Sequence, residues 1–308
     1  MLRLPASFSP ATVSRVALAN VVANAGIVVT GGAVRLTGSG LGCPTWPRCT
    51  GGSLTPTREL AVHGEIEFTN RMLTFVLSVV VVATVVAVFR SPRRDLRLLA
   101  VLSFLGIPAQ ALLGGMTVLT GLNPWLVAAH FLLSMVLVAI ATVLWLRSRE
   151  PGVGQPLLSG PFLLLTRLVA VVTAAVLLVG TVVTGSGPHS GDPKAGRTGL
   201  DPQEVSQLHA DLVFLLIGLT AALLLALYAA DAPDRVRRAV RDLLVVELAQ
   251  GLIGFVQYFT KLPIALVLVH MLGAVLITAF ATRLVWSVRG PASEVPLDDA
   301  TQPATATR

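Results

Sequence analysis

This sequence predicts an all-α integral membrane protein, with eight transmembrane helices forming two pseudo-symmetric four-helix bundles. Three observations carry that expectation. The 308 residues are 54% apolar and only 13% charged, more apolar surface than a water-facing chain of this length could hide, so lipid is the expected solvent. Eight apolar runs are each long enough to cross about 30 Å of hydrocarbon at about 1.5 Å per residue. The chain also repeats itself.

The runs lie near 13–34, 66–89, 98–119, 125–146, 161–184, 205–230, 243–260 and 264–287. No A-x-A site follows the first, so it is expected to stay as a span rather than be cleaved. The net charge of +7 could suggest nucleic acid as a partner. The basic residues instead fall in short clusters between apolar runs, such as RSPRRDLR at 90–97, which is how membrane topology is encoded. Of the 23 lysines and arginines, sixteen fall on the N-terminal side of the membrane. Seven fall on the other: Arg35, Arg48, Arg58, Arg71, Lys194, Arg197 and Lys261. The positive-inside rule then places both termini in the cytoplasm. Residues 291–308, PASEVPLDDATQPATATR, read as a disordered cytoplasmic tail.

The duplication divides the chain into halves at 1–150 and 151–290. AQALLG at 109–114 matches AQGLIG at 249–254 with an offset of 140. The same offset carries His130 onto His270, and VTGSG at 183–187 echoes LTGSG at 36–40. An even number of helices per half makes these parallel repeats, related by an axis along the membrane normal. At an offset of 139, EIEFTNRM at 65–72 lies over EVSQLHAD at 204–211. Asn70 therefore stands where the duplication predicts a histidine.

Five histidines are present. His63 and His189 belong to outer loops. His130, His209 and His270 each sit a turn or two inside the outer end of helices four, six and eight, at matched depth. Ionisable groups at that depth are expensive and usually line a site. Two imidazoles from neighbouring helices can fill both axial positions of a haem iron. His209 and His270 make such a pair, while His130 has only Asn70 opposite. A carboxamide ligates iron poorly, so the first half would keep an open coordination position suited to chemistry on a bound substrate. A lone buried histidine more often makes a helix-to-helix hydrogen bond, but three at one depth favour ligation.

Glu67 shares a helix face with Asn70. It reads equally as a general base or proton relay and as a salt-bridge partner of Arg71 at i+4. Arg71 could also hold a haem propionate, because guanidinium matches carboxylate bidentately. Glu65 faces elsewhere and is expected to be solvated. The only two cysteines, Cys43 and Cys49, lie in GLGCPTWPRC in the first outer loop. An oxidising compartment favours a disulfide there, as a clip over the site, with a redox role as the alternative. With His63 they fall short of a four-ligand zinc site. The TGSG segments lack the lysine of a phosphate loop and are expected to let helices one and five unwind or pack closely.

These features together resemble the haem A synthase family, the COX15/CtaA-type membrane haem O oxidases. The resemblance spans all eight helices, from VVTGGAVRLTGSGLGCPTWPRC to LVLVHMLGAVLITA. It implies a multi-pass protein of the cell membrane that oxidises the C8 methyl of haem O to a formyl group by successive hydroxylations. The product, haem A, would serve terminal oxidase assembly. It further implies a haem b held by His209 and His270. Substrate haem O would sit against His130 and position 70, with Glu67 in catalysis and Cys43–Cys49 as a loop disulfide. Asn70 departs from the histidine that many relatives carry. Either the substrate iron is left open or His63 reaches in. The second needs a broken helix, since seven residues rise about 10 Å, so the expectation is an open site with Asn70 as a polar group or water holder. Membrane lipid, a haem O synthase and an electron donor are the implied partners, with no nucleic acid. Two rivals are a di-haem b-type electron-transfer protein and a small-solute transporter. The unequal pairing opposes the first, and the scarcity of charge deep in the spans opposes the second.

Overall fold

The structure, a computed structural model, describes residues 7–150 and 154–290; the expected tail at 291–308 lies outside them. Eight long helices cover the eight predicted runs: α1 Pro10–Leu36, α2 Ala61–Phe89, α3 Arg97–Leu119, α4 Pro124–Ser148, α5 Gly160–Ser186, α6 Pro202–Ala229, α7 Asp234–Phe259 and α8 Ile264–Ser287. Their starts are written locally. Ser9, Asn123 and Asp201 cap α1, α4 and α6 with side-chain oxygens on first-turn amides, each followed by a proline that needs no donor there. Pro108 lies inside α3, which continues through it.

Seven of the eight helices are long and apolar enough to cross a membrane; α7 is the exception. Its first two turns carry Asp234, Arg235, Arg237, Arg238 and Arg241, and its apolar part is interrupted by Glu247, Gln250 and Gln257. The helix is 26 residues long all the same. Many large apolar side chains face outward, including Phe259 at 76% and Leu225 at 71% exposure. That arrangement suits lipid, and the chain is a multi-pass membrane protein.

Each helix packs on its sequence neighbour within 1–150, and α1 also packs on α4; α5 to α8 close the same circuit, with α5 on α8. The quartets meet through α4 with α8, α1 with α8 and α4 with α5. Exchanging α1–α4 with α5–α8 leaves that set of partners unchanged. Val28, Met135, Val138 and Val275 form a small core at the junction, while Leu216, Leu223, Leu227, Leu243 and Leu284 fill the second quartet. At the end opposite the α1–α2 and α5–α6 loops, the Glu150 carboxylate accepts from Arg235 at 2.7 Å and from the Trp286 indole at 3.0 Å. Beside it, Gln155–Pro156 pairs antiparallel with Arg289–Gly290.

Candidate functional site

The three predicted imidazoles share one kind of surrounding. Each lays its ring edge on a glycine of the preceding helix. A methyl group added at Gly114 or Gly180 would stand 3.1 Å from Cε1 of His130 or His209, and one at Gly254 would stand 3.4 Å from Cε1 of His270. In all three, Nδ1 is the ring nitrogen nearer the glycine; in His130 and His270 it is buried without a hydrogen-bond partner, while the His209 ring has the Val176 carbonyl beside it. Gly114 and Gly254 are the last letters of the repeated AQALLG and AQGLIG, and the glutamines repeat in space as well. Gln110 Nε2 donates to the His130 carbonyl at 3.2 Å, and Gln250 Nε2 to the His270 carbonyl at 2.7 Å.

Asn70 occupies the fourth position differently. Its Oδ1 accepts from Thr30 Oγ1 at 2.7 Å, and a methyl at Gly31 would stand 3.8 Å from its Nδ2. Thr30, Asn70 and Thr69 help line a cleft of about 360 Å³ between α1 and α2. His63 is not brought in. The helix runs unbroken from Ala61 past Asn70, and His63 Nδ1 bonds Ser39 Oγ at 2.9 Å.

His209 and His270 rise from α6 and α8, which face each other across their quartet without substantial contact of their own. Among the described residues no three His, Cys, Asp or Glu side chains converge on a point. Iron would therefore be held here only inside a macrocycle that supplies its remaining ligands. Two half-buried imidazoles on α6 and α8, the nitrogen donors that a haem iron takes, fit such a group.

Glu67, only 6% exposed, is gripped from two sides. Its Oε2 accepts from the Cys43 backbone N–H at 2.5 Å, and Oε1 accepts from Arg71 Nη2 at 2.5 Å and Nε at 3.1 Å. Arg71 also donates to the carbonyls of Cys43, Thr45 and Arg48 at 3.0, 3.1 and 3.3 Å. All five of its N–H donors thus have acceptors within the protein. Cys43 and Cys49 form a disulfide with both residues fully buried. The Trp46 indole between them lies where a methyl group on Gly115 of α3 would be. The disulfide loop is thereby tied to α2 by charge and to α3 by packing.

The two TGSG segments play different parts. In the first, Gly38 at φ +69° turns α1 to a stop, and the Ser39 amide returns to the Val34 carbonyl at 2.9 Å. In the second, α5 continues to Ser186, and Gly185 gives close approach to Thr198 and Pro124. The α1–α2 and α5–α6 loops join where Gly40 N donates to the Gly191 carbonyl at 2.8 Å and Arg35 Nε to the His189 carbonyl at 2.7 Å. Burial, then Arg35 and Arg197, hold the His189 imidazole below its ordinary pKa.

Sequence reasoning missed three features. The glycine seats of the histidines are one, since their partners lie on another helix. A second is the buried pair Asn20 and Asn24 in α1, where Asn24 Nδ2 donates to Asn20 Oδ1 at 2.8 Å. The third is Glu247, 2% exposed within α7. Its neighbours Asp242 and Arg241 make it read as one more surface charge.

Fold and site together define a multi-pass helical membrane protein with three imidazoles, each seated on a glycine of the preceding helix, and a disulfide-bearing loop held by Arg71. The chain belongs to the COX15-CtaA family, cytochrome oxidase assembly proteins, matching it over residues 14–189. That stretch includes Cys43, Cys49, Glu67, Asn70, Arg71 and His130 and stops before His209 and His270. The chain is 36% identical over 122 residues to a protein named heme A synthase from Listeria welshimeri, covering 38% of this chain and 40% of that relative. It is 39% identical over 124 residues to a heme A synthase from Lysinibacillus sphaericus, covering 39% of each. A heme A synthase from Bacillus pumilus is 38% identical over 125 residues, again 39% of each. These matches span about two fifths of the relatives' length.

Proposed function

We propose that the chain is a haem A synthase of the cell membrane, oxidising the C8 methyl of haem O to a formyl group by successive hydroxylations. In this reading residues 1–150 form the substrate half and 151–290 the haem b half. Each is a four-helix bundle, and the termini lie in the cytoplasm. The single observation that carries it is the unequal repeat: histidines on both α6 and α8 in one half, and a histidine on α4 with Asn70, beside a gripped carboxylate, on α2 in the other. The names borne by the relatives, and the family's description, support the same reading.

A haem b bound in the second half would supply one-electron transfer. His209 and His270 would hold it through Nε2, the ring nitrogen farther from the glycine helices. In the first half His130 orients substrate haem O on its seat at Gly114. Asn70, fixed by Thr30, directs its amide at the opposite face without closing it. Glu67 is one helical turn from Asn70; Arg71 occupies both acceptor positions of its Oε1, while Oε2 keeps a lone pair beyond the one used by the Cys43 amide. Each hydroxylation takes a two-electron oxidant and an oxygen atom from outside the chain, from dioxygen or from water with an electron acceptor, and Glu67 accepts the proton released at the reacting carbon. Arg71 acts as a positioning residue, because propionate binding would require it to release the carbonyls of the disulfide loop. A haem O synthase and an electron donor complete the proposed partners.

Membranes carrying the chain, supplied in air with haem O and a redox mediator, test this. Extraction and chromatography are expected to show hydroxylated haem and haem A, and Glu67→Gln is expected to return haem O unchanged while keeping the haem b spectrum. Unconverted haem O with the intact chain would count against the proposal.

A further inference from the structure

Among the described residues two carboxylates are buried, Glu67 and Glu247. Glu67 has a guanidinium; Glu247 has no cation. Its Oε1 accepts from Thr220 Oγ1 of α6 at 3.0 Å, and its Oε2 is buried without a partner. One turn along the same face of α7, Gln250 gives its Nε2 to the His270 carbonyl, which leaves its Oε1 also buried without a partner. Two acceptors three residues apart have no donor between them. A neutral carboxyl has one hydrogen to supply, and an ionised one has none.

The pair is not part of the duplicated framework. The repeat offsets place Ile107 opposite Glu247 and Val81 opposite Thr220, so the first half holds the same place with hydrocarbon. Glu247 precedes Gly254, the seat of His270, by seven residues, about 10 Å of helix. At that distance in a low-dielectric interior a unit charge is strongly felt. Asp234 of α7 pairs with Arg237 and Arg238, Arg235 pairs with Glu150, and Tyr228 of α6 and Tyr258 of α7 are the tyrosines of these helices. Asp242 of α7 is paired with Arg283 of α8 at 2.7 Å and with Arg241, α6 carries His209 with Glu204 and Asp211 near its outer start, and α8 carries His270.

We propose that Glu247 is a proton-exchanging site linked to the redox group between His209 and His270. When one electron from a quinol-class or other one-electron donor enters that group, one proton from the aqueous phase converts the Glu247 carboxylate to the carboxyl. Both leave again on oxidation. The oxidised iron is the countercharge that Glu247 otherwise lacks, relayed through Gln250, and reduction removes it. The inference rests on the haem b reading of the second half.

Spectroelectrochemical titration of the purified full chain with its haem, across neutral pH, tests it. The midpoint potential of the bis-histidine haem is expected to fall by up to about 59 mV for each tenfold drop in proton concentration. Glu247→Gln should flatten that slope. The reduced-minus-oxidised infrared spectrum should gain a carboxyl C=O band in the wild type and lack it in the variant. Should Glu247→Gln lose haem, Thr220→Val, which removes only a hydrogen bond to the carboxylate, should move the sloping window to higher pH. A flat wild-type potential, a slope kept by Glu247→Gln, or an unmoved window in Thr220→Val overturns the linkage alone. Purified protein with no bis-histidine haem overturns the haem reading and the linkage with it.

Discussion

Glycine opposite each histidine sets how closely a ring can approach the neighbouring helix, so these glycines are as specific as the histidines. Gly254→Leu would place a branched side chain in the space of the His270 ring, an overpacking cost of about 1–3 kcal/mol. Loss of the bis-histidine haem spectrum, with Gly26→Leu as an unaffected control in open space, is the expected result. Asn70→His should add a ligand to the first half and convert an open-site spectrum to a six-coordinate one. His189 gives a pH prediction with a fixed sign. Its folded-state pKa is depressed from 6.5 by burial, Arg35 and Arg197, so protonation favours unfolding. The stability it contributes is present above the unfolded value and falls as pH drops below it. Thermal melts should show the outer loops loosening below about pH 6.5, and His189→Asn should flatten the dependence. At this scale the sequence exposed the histidines through their matched depth. It could not expose the glycine seats, because a contact between helices leaves no local pattern.

Helix ends and disulfide loop show what an element can and cannot announce. Apolar runs made the helices readable, since that signal is local. The exception among the spans, α7, was readable only in outline. Its charged start and its interior Glu247 look alike in sequence, and only packing separates them. The ion pair of Glu67 with Arg71 was one of two even readings, and the structure adds what neither contained. The same arginine holds three carbonyls of the loop that carries the disulfide. Arg71→Lys keeps the charge but loses the fork, and is expected to lower loop stability by about 1–3 kcal/mol. Faster amide exchange over residues 43–49, with helix α2 otherwise unchanged, would be the readout. Equal exchange in both proteins would show that the fork contributes little.

Across the whole molecule, the duplication predicted from scattered letters reappears as matched contacts: glutamine to histidine carbonyl, and glycine to imidazole. The unequal position was legible too, as an asparagine where repetition called for histidine. Where the halves meet was not legible, because Glu150 reaches Arg235 and Trp286 from far along the chain. Glu150→Ala should lower the melting temperature modestly, in line with about 1 kcal/mol for a partly exposed pair, without altering either haem spectrum. The central claim is that one half binds an electron-transfer haem and the other oxidises a haem substrate. Extracting and separating all haems from cells that make haem O, with and without this chain, tests it most directly. The account predicts haem A, or its hydroxylated precursor, only where the intact chain is present. Haem b alone, beside unconverted haem O, would contradict it and favour a di-haem electron carrier.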